Sequence, residues 1–164
     1  MKFTSEILRR AALLVFFIAC SNDDGQDVSA AAEELTAEVA GLGSFTASRD
    51  FDTIAATKVA AGSANVVVVQ GTDNSGKGFQ LRITTYTGPG TYNLGPLIIA
   101  NTATWIGGVS LGQQYSTAYS GTSGKITISA EDGKRIEGTF EFVGKINNTS
   151  ASVTVTNGKF KANF

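Results

Sequence analysis

From about residue 35 onward, apolar and polar residues alternate along this chain. Phe79, Leu81 and Ile83 are spaced by Gln80 and Arg82, and Ile126 and Ile128 by Thr127. Ile136, Gly138, Phe140 and Phe142 are set against Glu137, Thr139 and Glu141, and Val153 and Val155 against Ser152 and Thr154. Period two in short runs rich in Thr, Val, Ile and Phe predicts strands with one face buried. Asn65–Gln70 breaks the rule with consecutive valines, which predicts a central strand covered on both faces.

Turn residues fall between these runs. Asp132-Gly133 and Asn157-Gly158 each predict a two-residue type I′ hairpin turn, which needs positive φ. Gly71 through Gly78 and Gly121 through Gly124 predict longer hairpin loops. Pro89 and Pro96 place a loop over Gly88–Pro96, because proline is excluded from strand interiors. Roughly nine short strands joined this way predict an all-β fold. The expected form is an antiparallel meander making a β-sandwich, with a flattened up-and-down β-barrel as the alternative. Residues 28–40 carry two patterns. Val28, Ala31, Ala32, Leu35 and Val39 have helical spacing. Leu35–Val39, the turn Gly41-Leu42-Gly43 and Ser44–Ser48 read as a strand pair, the preferred reading.

The N-terminus has a different pattern. Lys2, Arg9 and Arg10 precede an unbroken apolar run from Ala11 to Ala19, which ends at Cys20. A membrane-spanning helix needs about 20 apolar residues, so the run is too short to span. A basic start, a short apolar core and a small residue at its end predict an export signal. Phe17-Ile18-Ala19-Cys20 resembles the lipobox of bacterial lipoproteins, with Phe17 where leucine is usual. That resemblance implies a thioether-linked lipid on Cys20, the chain's single cysteine. Ser21, Asp23 and Asp24 lie in a tract that resembles the acidic surface-export signal of Bacteroidota-type lipoproteins. A solvated tether is the plainer reading. The chain thus divides into a signal peptide (1–19), an acidic tether (20–34) and one β-domain (35–164).

Four segments of that domain resemble landmarks of an uncharacterised β-rich domain family of Bacteroidota-type lipoproteins. They are Leu35–Ala47, Gly90–Gly95, Ile136–Phe142 and Val153–Phe160, the last with its Thr156-Asn157-Gly158-Lys159-Phe160 run. The resemblance implies outer-membrane attachment through lipid, and it transfers no activity and no functional residue.

Charge and composition narrow the chemistry. Loss of residues 1–19 removes three of the 13 basic and one of the 14 acidic residues, leaving net charge −3. No basic patch invites nucleic acid. The chain has no histidine, and its cysteine is committed to lipid, so the usual zinc, haem and copper ligands and any Ser-His-Asp or Cys-His arrangement are missing. No cofactor, metal or catalytic residue is expected. Gly71–Lys77 matches the start of a phosphate-binding loop, but Gly78 replaces its Ser/Thr and a strand follows where a helix should begin. Carboxylate pairs, Glu137 with Glu141, offer the remaining hydrolytic option, and Asp73 with Asn74 or Asp50 with Asp52 a weak calcium option. Tyr86, Tyr92, Trp105, Tyr115 and Tyr119 are candidates for an exposed aromatic surface that binds a glycan or an envelope protein. The preferred reading of these rings is that they complete the core or cap sheet edges. The leading expectation is a non-enzymatic binding or structural module, the alternative a small carboxylate-dependent hydrolase of envelope or extracellular polymers.

Overall fold

A computed structural model describes residues 32–48, 52–97, 101–108 and 113–164. Its strands are β1 (Glu34–Val39), β2 (Gly43–Ser48), β3 (Thr53–Ala61), β4 (Ala64–Thr72), β5 (Lys77–Tyr86), β6 (Gly90–Leu94), β7 (Asn101–Gly107), β8 (Gln114–Ser116), β9 (Ser123–Glu131), β10 (Arg135–Lys145) and β11 (Ser152–Asn163). All pair antiparallel, in the order β2-β1-β11-β10-β8-β7-β5-β4-β3, with β9 on β10 and β6 on β9. The sheet is nearly closed and barrel-like, with β2, β3 and β6 each paired on one side only. The meander holds locally, for β3-β4-β5 and β9-β10-β11. It is broken where β6 leaves β5 to pair with β9, and where β11 inserts between β1 and β10.

Strand alternation places the core. Leu35, Ala37 and Val39 point inward from β1, so the strand reading of this segment holds from Glu34; residues 28–31 lie outside the described region. Phe79 is fully buried at the centre of the molecule. Its ring lies 5.3 Å from Phe45, 5.1 Å from Phe140, 6.2 Å from Phe142 and 4.7 Å from Trp105. One side chain thereby joins β5 to β2, β7 and β10. Gly71 permits a second close approach: a Cβ there would stand 2.9 Å from Leu35 Cδ1. On β4, Val67 and Val69 are buried, whereas Val66 and Val68 are half-covered.

Three local expectations are corrected. Asn157-Gly158 makes no hairpin; it lies inside β11 as a bulge, with Phe140 opposite Gly158 but Phe142 opposite Val155. Asn157 takes φ +54, which asparagine tolerates, so the positive-φ signal was real but served a bulge. Asp132-Gly133 does turn the chain, but positive φ occurs at Gly133 alone. The Asp132 carboxylate accepts the Lys134 and Arg135 N–H groups at 3.0 and 2.9 Å and so supplies the closure itself. Gly88–Pro96 is not wholly loop, since Gly90–Leu94 forms β6 against β9. Both prolines stand just outside that strand, where no ladder hydrogen bond is lost.

Candidate functional site

Where β1 ends, the mouth of the barrel opens into a cleft of about 370 Å³, within the about 300–1,000 Å³ usual for ligand pockets. One wall is the start of β2, with Ser44 and Thr46; Leu42, 65% exposed, stands beside it. The β4–β5 turn brings Asp73 and Lys77 to the opposite rim. At the base are Trp105 of β7 and Tyr115 of β8, directly paired across the two strands. Gln113, just before β8, completes the polar lining; its carbonyl accepts the Gly107 N–H at 2.8 Å.

The β4–β5 turn is built by Asp73. Its Oδ1 accepts the Ser75 N–H at 2.8 Å, the Ser75 hydroxyl at 2.7 Å and the Lys77 N–H at 2.9 Å. Burial works against ionisation here, but these hydrogen bonds and the Lys77 charge hold the carboxyl below its ordinary range. Gly71–Gly78 is therefore a strand hairpin and not a phosphate-binding loop. Trp105 is 3% exposed, edge-on to Phe45 with centroids 5.5 Å apart. Its Nε1 is the one buried side-chain polar atom without a hydrogen-bond partner among the described residues.

The five aromatic candidates do not form one surface. Trp105 and Tyr115 meet at the cleft. Tyr86 is 1% exposed and belongs to a cross-strand tie. Its hydroxyl donates to Glu131 Oε2 at 3.3 Å, and Lys58 Nζ reaches the same oxygen at 2.9 Å, 5.4 Å from the Tyr86 ring centroid. Burial, then the Glu131 charge, pushes the Tyr86 hydroxyl up to about 12. The Lys58 hydrogen bond in turn holds Glu131 below the usual carboxylate range. Tyr92 packs 5.7 Å from Tyr86, donates to the Gly88 carbonyl at 2.6 Å and accepts the Thr87 N–H at 3.1 Å. Tyr119 is half-buried beside Lys145, in the loop before β9. Tyr86 and Trp105 thus take the core role preferred for them and drop out as exposed binding candidates, turned inward by the bulge on β5 and by strand alternation.

The carboxylates are dispersed. Glu137 and Glu141 share the outer face of β10, about 13 Å apart along the strand at ~3.3 Å per residue. That exceeds the about 5–9.5 Å of glycosidase pairs. Glu137 is held below its usual range by Arg135, with Lys161 beyond it, and Glu141 pairs with Lys125 at 3.1 Å. Among the described residues, Asp73 is the one carboxylate that lines the cleft. Asp52 accepts the Ser48 N–H at 3.0 Å, and Asp50 lies outside the described residues, as do Cys20, Ser21, Asp23 and Asp24. Among the described residues no three His, Cys, Asp or Glu side chains converge as for a metal ion.

Much of the cleft lay hidden from sequence reading. Asp73 and Lys77 stood out, but for phosphate chemistry. Leu42 between two glycines was the clearest unused signal, an apolar residue in a turn. Gln113 and Ser44 carried none. A family model for a domain of unknown function (DUF6252) matches residues 42–162. No curated protein and no solved structure matches the chain.

Proposed function

This chain belongs to the DUF6252 family of domains of unknown function, and from its own chemistry we propose that it is a lipid-anchored envelope protein whose β-domain binds a ligand and performs no reaction. Cys20, acylated after removal of residues 1–19, holds it in the outer membrane. The acidic tether with Ser21, Asp23 and Asp24 carries the domain toward the cell surface. The carrying observation is where the cleft lies. The tether joins at Glu33, whose Oε1 accepts the Asn163 N–H at 2.8 Å. The cleft begins at Val39, about 17 Å along β1. A domain held by its tether thus presents the cleft outward, to a glycan or an envelope protein. One lining carboxylate among the described residues supports a binder over a hydrolase, which needs two facing each other.

Anchoring through lipid also fits the energetics. Each buried methylene contributes about 0.8 kcal/mol, so two or more acyl chains hold a protein stably where the short apolar run of the signal does not. The test is incorporation of labelled fatty acid in the bacterial host, with external protease applied to intact cells. The wild type is expected to take up label and be digested, and Cys20→Ala to lose the label. Label retained by Cys20→Ala would refute Cys20 as the site, absence of label on the wild type would refute lipidation, and protection of the wild type would place the domain inside.

A further inference from the structure

Building on the cleft as the binding site, we propose that its ligand is the end of a neutral saccharide chain. Charge supplies the first argument. Lys77 and an ionised Asp73 share one rim, so their fields offset and neither a phosphate, an acidic sugar nor a cation is favoured. The hydrogen-bonding groups supply the second. Lys77 donates, and Asp73 accepts through Oδ2, which takes none of the three turn bonds on Oδ1. Gln113 does both, while the Ser44 hydroxyl is engaged, donating to Glu38 Oε1 at 2.8 Å. A sugar hydroxyl, donor and acceptor at once, fits such a mixed lining better than a group of one kind.

The apolar surfaces supply the third. A pyranose has one face of C–H groups, and the half-buried Tyr115 ring and exposed Leu42 offer it a partner of that character. Beneath them the Trp105 N–H meets no hydrogen-bond acceptor among the described residues. An extended peptide added to the outer edge of β2 is the competing occupant. It would use backbone groups and leave Asp73, Lys77 and Gln113 to one side chain.

Trp105 is the chain's only tryptophan, so its fluorescence reports on this cleft. The full acylated protein in phosphocholine detergent is titrated with neutral tetrasaccharides of glucose, mannose and xylose, with tetragalacturonate, and with a pool of extended decapeptides. A saturable change is expected with at least one neutral tetrasaccharide and not with tetragalacturonate. Tyr115→Ala and Lys77→Gln should each weaken it about tenfold. Lys77 is exposed, so that variant keeps the thermal midpoint of the wild type. Preference for tetragalacturonate, or neutral-sugar binding untouched by both variants, would overturn the proposal. Response to peptides alone would also overturn it while leaving the cleft as a binding site. No response to any probe would overturn that reading as well.

Discussion

Tyr86 shows how one side chain can look like a ligand contact and act as architecture. Its hydroxyl lies under burial against Glu131, and ionising it would set two negative charges together where Lys58 already balances one. The folded state raises its pKa from 10.0 to about 12. The neutral form is therefore favoured by folding: the stabilisation is complete below about pH 10 and is lost as pH rises through about 12. Thermal midpoints measured from pH 8 to pH 12 should fall steeply above 10 in the wild type. Tyr86→Phe should flatten that decline, at the cost of a lower midpoint at neutral pH. An unchanged alkaline slope would show that Tyr86 is not its source. Sequence alone could not separate Tyr86 from Tyr115, because both are tyrosines in a strand context. The difference lies in which partner strand arrives opposite.

At the level of the strand, the bulges decide which residues face inward. β11 buries Val153 and Val155, then Phe160 and Ala162, so its apolar positions change from odd to even across Asn157. β5 does the same between Ile83 and Tyr86, with the extra residue at Thr84 or Thr85. That change of parity was legible in the sequence, and it argues for one interrupted strand where Asn-Gly alone argues for a hairpin. Asn157 is exposed with φ +54, so Asn157→Gly should be nearly neutral, whereas Asn157→Val should cost about 1–2 kcal/mol in urea unfolding. Equal stability of the two variants would mean that backbone conformation at this position carries no cost. Gly158 has a different constraint: a Cβ there would stand 2.5 Å from the Phe140 carbonyl oxygen. Strand identity and most of the buried faces could be read in advance. The pairing partners of β6 and β11 could not, because they rest on contacts between residues far apart in sequence.

For the whole molecule, stability depends on the meeting of the curled sheet's two sides at Phe79. Phe79→Ala removes a ring that touches side chains on β2, β7 and β10, so a loss of about 3–5 kcal/mol is expected. Chemical denaturation should show this as a lower midpoint in a single transition; a loss under 1 kcal/mol, on the scale of surface substitutions, would mean that the sides are held together elsewhere. The pairing of β1 with β11 has a consequence for how the chain comes to be folded. β1 shares its ladder with β11, far along the chain. While the chain is being synthesised, β1 has β2 as its only neighbour, and β10 lacks the strand that separates it from β1. The sheet therefore stays incomplete until β11 is delivered. Closure of the sheet thus waits on β11, which must pair with β1 and β10 together.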